Sequence, residues 1–149
     1  MVVFSYYPAD PRVRREAEAL ARAGFDIDVV CLKDEAQPLK EEVRGITVYR
    51  VPLRRRRGSK FRYVWEYLAF ITATFFLVAW LHIRERYRAV HVHNMPDILV
   101  ASALLPRITG SKVILDLHDP MPEVFMAKYP SMGKTHPVIR LLTALERFS

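Results

Sequence analysis

Val113-Ile114-Leu115-Asp116-Leu117-His118-Asp119-Pro120-Met121-Pro122-Glu123-Val124-Phe125 is the stretch on which the fold is decided. It opens as a short apolar run, the pattern of a strand buried on both faces of a parallel sheet. It then breaks into a loop that holds an imidazole, two carboxylates and two prolines within six residues, His118 to Glu123. A buried strand ending in ionisable groups marks where a parallel sheet meets its ligand, in the crevice beyond the carboxyl ends of the strands. The rest of the chain is expected to build the sheet that presents this loop.

Working outward, Ala89-Val90-His91-Val92-His93 reads as the preceding strand, and Pro96-Asp97 opens a short helix through Leu105, closed by Pro106 and Gly110. Gly45 to Pro52 alternates as another strand and is stopped by proline. At the start, Val2 to Tyr6 is a strand, and Asp10-Pro11 begins a helix with a capping carboxylate and a proline where its missing N–H costs nothing. Val13, Ala17, Leu20 and Ala21 share one face of that helix, and Gly24 is placed to end it before a strand from Phe25 to Leu32. These first elements form a β-α-β unit, the building block of a parallel sheet. The polar stretch Lys33 to Arg44 reads as a surface connection, and Val138, Leu141, Leu142, Leu145 and Phe148 mark an amphipathic last helix. Strands alternate with helices throughout, so the expected class is α/β, a Rossmann-like doubly wound parallel sheet over residues 1–149. A crossover helix normally delivers the chain to another parallel strand, so a further strand and a further domain are expected after Ser149.

The chain's 149 residues suffice for one domain with a core, and 51% of them are apolar. The net charge of +7 points to anionic partners: phosphates, nucleic acid or an acidic membrane surface. No recognised nucleic-acid motif accompanies the charge, so nucleic acid is not an expected partner. The lone Cys31 excludes an internal disulfide and, inside an apolar strand, reads as a buried structural thiol. No secretory signal opens the chain, and a cytoplasmic location is expected.

Tyr63 to Leu81 is almost continuously apolar, interrupted by Glu66, Thr72 and Thr74. As a helix it is about 28 Å long, close to the roughly 30 Å of a bilayer core. Spanning would place the flanking strands on opposite sides of the membrane, where they could not share a sheet, and basic residues flank both ends alike. Two readings remain for the helix at 61–83: a crossover packed on the sheet, or a helix partly seated in the lipid interface. Arg54, Arg55, Arg56, Arg57 and Lys60 favour membrane contact, since each basic residue near an anionic leaflet adds about 1 kcal/mol. A run of arginines is equally the mark of a solvated loop.

With a parallel sheet, Ser5, Tyr6, Tyr7, Lys33, His93, Asn94, His118 and Asp119 gather at one edge. His118 can exchange a proton near neutral pH. Asp119 and Glu123 can accept hydrogen bonds from hydroxyls or orient the imidazole. Arg12, Arg14 and Arg15 can receive anionic groups together with the helix start. Each has a plainer role as well: strand capping for His118, loop capping for the carboxylates, solvation for the arginines. His91-x-His93 has the spacing of a metal pair on one side of a strand, but no further cysteine or carboxylate pattern completes a zinc site. No metal is therefore expected and His91 reads as structural; a metal-dependent hydrolase using His91, His93 and His118 is the rival that metal analysis would decide. Asp28 and Asp116, inside strands, read as edge or partnered positions.

Ser5-Tyr6-Tyr7-Pro8, then Asp10-Pro11-Arg12-Val13-Arg14-Arg15-Glu16, then Ala23-Gly24-Phe25-Asp26-Ile27-Asp28-Val29 resemble the opening of family 4 glycosyltransferases. Val90-His91-Val92-His93-Asn94 and Leu115-Asp116-Leu117-His118-Asp119 resemble later signatures of the same N-terminal half. The resemblance covers essentially the whole chain and rests on the order and spacing of these segments. It implies a GT-B architecture, two Rossmann-like domains across a cleft, with the acceptor at the N-terminal domain and the nucleotide-sugar donor at the C-terminal one. It implies transfer with retention, no required metal, and no cofactor, the nucleotide-sugar being a co-substrate. The catalytic position it implies is His118, near the transferred sugar, with His93 at the neighbouring cleft position. Joined to the edge reading, the substrate-binding candidates are His93, Asn94, Asp119, Glu123, Tyr7 and Arg12.

Where the family's first-strand loop usually has glycines that approach the donor, this chain has Tyr6-Tyr7-Pro8-Ala9-Asp10. The donor domain, with its glutamate pair and phosphate-binding basic residues, is absent, so the chain alone is expected to be inactive. Basic N-terminal domains of such enzymes commonly dock on the membrane to reach lipid-linked acceptors. The expected function is the acceptor-side domain of a hexosyltransferase acting on a glycolipid or polysaccharide acceptor at the cytoplasmic membrane face. The alternative is a non-catalytic membrane-attached module that binds a carbohydrate or lipid head group in the same cleft.

Overall fold

The computed structural model describes residues 1–53, 60–93 and 97–117, and positions 126, 136, 137, 139, 140, 143 and 144; the side chains of 60–63 are outside this description. Strand β1 (Val2–Tyr6), helix α1 (Pro11–Arg22) and strand β2 (Asp28–Leu32) form the expected β-α-β unit. Asp10 caps α1 by accepting a hydrogen bond from the Arg12 amide at 3.1 Å, with Pro11 in the first helical position. Gly24 leaves the helix at a φ of +87°, a left-handed conformation that a side chain would strain.

Burial alone would raise the Asp10 carboxyl, but the Arg12 amide and guanidinium outweigh it and hold the group below its ordinary value of 3.8. Replacing Asp10 by alanine is therefore expected to cost about 1 kcal/mol near neutral pH. Because the folded-state value is the depressed one, that contribution is present above pH 3.8 and fades as pH falls through the folded-state value. Urea melts of both proteins at neutral and strongly acidic pH check it; an equal gap at both would refute the cap's charge.

The stretch from Lys33 to Arg44, expected as a polar surface connection, contains a strand. Strand β3 (Lys40–Val43) pairs antiparallel with β4 (Ile46–Val51) across a turn at Arg44 and Gly45, whose φ angles are 55° and 75°. Lys40, Glu41 and Glu42 make it read as polar, which is how an edge strand is kept from pairing with other chains. On β4, Arg50 is buried and ion-paired to Glu41, and it donates to the Pro38 carbonyl at 3.1 Å.

The sheet order is β3-β4-β2-β1-β5-β6, with β5 at Ala89–His93 and β6 at Lys112–Asp116. All strands but β3 are parallel. The chain builds outward in one direction from β1 through β2 to β4, then returns to place β5 on the other side. The switch point between β1 and β5 is where such sheets open a ligand crevice.

Helix α1 covers one face, burying Val13 and Ala17 among Val3, Tyr7, Val29, Cys31, Ile46 and Val48. Helix α2 (Lys60–Glu85) covers the other, with Phe70, Val78 and Leu81 set against Val2, Phe4, Val30, Leu32, Val90 and Val92. The Phe4 ring meets Tyr67 and Phe70 at centroid distances of 4.8 and 4.9 Å. Since β4 and β5 lie in one sheet, α2 is the crossover between them, as the topological argument against spanning required. Its two sides differ in neighbours and not in polarity. Glu66, Phe70, Thr74, Val78 and His82 are buried, whereas Val64, Leu68, Thr72, Phe76 and Trp80, offset by two residues and so roughly opposite, are exposed.

The helix expected from Pro96 to Leu105 is a 3-10 segment (Asp97–Ala103) followed by α3 (Leu104–Ile108). Pro106 falls in the first turn of α3, where no intrahelical N–H is needed. Near the end of the chain the Arg140 amide donates to the His136 carbonyl at 3.0 Å, a helical step, and Ile139 is buried. Val138, Leu141, Leu142, Leu145 and Phe148, on which the last helix was read, lie outside the described residues.

Candidate functional site

The carboxyl ends of β1, β2, β4, β5 and β6 point the same way, as a parallel sheet requires, and the start of α1 stands beside the end of β1. The loop between them is tied by the Asp10 amide donating to the Tyr6 carbonyl at 3.0 Å. Arg12, with half its side chain exposed, lies 3.5 Å from Asp10 at this edge. Lys33, at the end of β2, donates to the carbonyls of Asp34 and Glu35 and so folds over its own loop. Strands β5 and β6 run side by side with His93 opposite Asp116, so the chain leaves both at neighbouring points of the edge. Asn94, His118, Asp119 and Glu123 follow those exits and lie outside the described residues, as do Arg54, Arg55, Arg56, Arg57 and the side chain of Lys60.

Two residues expected at the crevice, Tyr7 and His93, have buried side chains. The Tyr7 side chain is wholly buried under α1 and belongs to the core, so it does not line the crevice. Burial also raises its phenol above the ordinary value of 10.0. His93 is at the expected strand end, but its ring is buried and turned towards α1. Proximity to the edge had suggested an open position; the alternation of the strand puts the side chain on the helix-covered face instead.

Around His93 the structure assembles groups that are far apart in sequence. Its Nδ1–H donates to Asp116 Oδ2 at 3.2 Å; the carboxylate can only accept, which fixes the proton on Nδ1. Its Nε2 faces Glu16 Oε2, on α1, at 3.7 Å. The His91 ring lies over it at 4.5 Å, and His91 Nδ1 is 3.8 Å from the same Glu16 oxygen. Burial first, and then His91, push the His93 pKa down to about 4, against the pull of Asp116, so the ring is neutral near pH 7. The sequence reading took Asp116 as an edge or partnered position, and His93 is one partner it has. It did not single out Glu16; the signal was there, since Glu16 adjoins the buried face marked by Val13 and Ala17.

Asp28 is likewise partnered, accepting from the Tyr87 hydroxyl at 2.5 Å. Cys31 is buried and its thiol is pushed up to about 11, the state of an inert core cysteine. A hollow of about 620 Å³ lined by Glu18, Arg22, Phe25, Asp26 and Arg44 sits where β2 and β4 begin. That is the rim opposite the crevice.

The sheet order, the switch point and the chemistry expected at its edge can be set against known proteins. A family model described as a glycosyl transferase 4-like domain matches residues 9–149. No curated protein and no solved structure matches at a significant level. The matched span takes in α1 and every strand from β2 to β6. With a mostly parallel α/β sheet of Rossmann-like order under that match, the chain belongs to the glycosyl transferase 4-like domain family.

Proposed function

We propose that the chain is the acceptor-side domain of a retaining hexosyltransferase that moves a sugar from a nucleotide-sugar to a glycolipid or polysaccharide acceptor at the cytoplasmic membrane face. The observation that carries this reading is the family match over 9–149 on a sheet whose switch point lies between β1 and β5. The acceptor enters the crevice there, between the Tyr6–Asp10 loop and the exits of β5 and β6. Arg12 and the start of α1 face it as a source of positive potential. The nucleotide-sugar is held mainly by a second Rossmann-like domain, and transfer needs neither a cofactor nor a metal.

His118 follows β6 by two residues and is the group assigned to the reacting sugar. A positioned proton-transfer group contributes about 100-fold or more to turnover. In the enzyme joined to its donor domain, His118→Ala is expected to lower sugar transfer to a lipid or glycan acceptor by about that factor with the circular dichroism unchanged. Undiminished transfer would remove the assignment.

Membrane attachment is supported by the exposed side of α2. Trp65, Leu68, Phe76, Trp80 and Ile83 lie along it, each at least half exposed. Arg84, Arg86 and Arg88 are exposed at its end, and the Arg84 guanidinium stacks on Trp80 at 4.7 Å. Aromatic rings beside arginines suit the boundary between acyl chains and head groups.

A further inference from the structure

We propose that Glu16, His91 and His93 form a binding site for one divalent transition-metal ion of the zinc class, with Asp116 orienting His93 from behind. The site is separate from the transfer chemistry: its ion would fasten α1 to β5 beneath the crevice.

Convergence is the first ground. One side-chain donor atom from each of Glu16, His91, His93 and Asp116 lies within 4.8 Å of all the others. His91 and His93, two apart on β5, present their rings on the same face of the sheet. Glu16 comes down onto that face from α1, and Asp116 comes from the adjacent strand in register. Two imidazole nitrogens therefore address a single carboxylate oxygen, from 3.7 and 3.8 Å.

The second ground is an electrostatic mismatch. With its proton on Nδ1, held by Asp116, His93 turns the lone pair of Nε2 towards Glu16 Oε2, which is itself an acceptor. Both atoms are buried, and among the described residues neither has a hydrogen-bond partner. Two buried acceptors facing one another are unfavourable without something positive between them. A shared proton would draw the pair to about 2.8 Å. The observed 3.7 Å leaves room for a larger cation.

The donor set then selects the ion. Two imidazoles and a carboxylate suit borderline ions such as zinc over magnesium or calcium, which prefer oxygen ligands. Bonds of about 2.0–2.1 Å place neighbouring donors about 3.3 Å apart, so the two contacts of Glu16, at 3.8 and 3.7 Å, close by about half an ångström, within reach of rotation about its side chain. A ligating histidine whose other nitrogen donates to a carboxylate is the usual outer-shell arrangement, and it sets ligand orientation and basicity. The remaining position is open to a water molecule.

The test is Zn2+ added to the full chain after chelator treatment, followed by calorimetry and elemental analysis. One equivalent is expected to bind at micromolar concentration or tighter and to raise the melting temperature as zinc is increased. Co2+ in its place should give visible absorption bands of an imidazole-bound ion. Asp116→Asn should weaken binding by about 10–100-fold while one ion still binds. Glu16→Gln and His91→Ala, on the partly exposed side of the cluster, should each weaken it at least as much, and they keep the test independent of whether a His93 variant folds. Failure to bind one equivalent of zinc would overturn the site. So would binding that persists unchanged in the Glu16→Gln/His91→Ala double variant, which would place the ion on other histidines such as His136.

Discussion

Anionic phospholipid vesicles should release the protein when Trp65, Phe76 and Trp80 are replaced together by glutamate, with affinity falling by at least about 100-fold. These side chains are 71%, 66% and 50% exposed in α2. Taking a large apolar side chain out of water contributes about 1.5–3 kcal/mol, so three of them, even partly inserted, supply about 3–5 kcal/mol. Glutamate also turns attraction to an anionic surface into repulsion. The three positions lie away from Phe70, Val78 and Leu81, which hold the helix to the sheet, so the melting midpoint should move little. Co-sedimentation at several salt concentrations is the measurement. Binding of the unaltered protein should weaken with salt through Arg84, Arg86 and Arg88. Undiminished binding of the triple variant would show that the exposed stripe does not meet lipid.

The second large effect is expected at the edge of the sheet. Glu41→Ala should destabilise the fold by about 3 kcal/mol, because it leaves the buried Arg50 guanidinium without its counter-ion. The carbonyls of Pro38 and Tyr7 still accept from Arg50, which keeps the cost at the low end for a broken buried pair. Arg50→Met should cost less, about 1 kcal/mol, since the apolar stem is replaced in kind and Glu41, a third exposed, can be hydrated. For a chain of this size the difference is about 4–8 °C in melting temperature. Urea denaturation gives the order directly, and a costlier Arg50→Met would mean that the arginine serves packing more than charge.

The alternation of strands and helices was legible because each parallel strand is a short apolar run bounded by turn residues, and five of the six observed strands were read on it. Strand β3 escaped because an edge strand with lysine and glutamates has the composition of a loop. The helix α2 supported two readings because periodicity identifies apolar sides and says nothing about whether a sheet or another apolar medium meets them; the structure sets one of its sides on the sheet. At the site, sequence located the edge better than the side chains on it. Tyr7 and His93 are near strand ends, but which face of the sheet each takes is set by a one-residue parity that tertiary packing decides. Glu16 joins His91 and His93 only once α1 lies across β5, a proximity that no local spacing encodes.

The margin of the sheet at β3 is guarded against the addition of a foreign strand. The charged side chains of Lys40, Glu41 and Glu42, with the Arg50 clasp behind them, make that margin a poor template for foreign backbone. Polymerisation of misfolded copies through strand addition is thereby disfavoured at β3, and a peptide engineered to graft onto that margin has to match the charges of Lys40, Glu41 and Glu42.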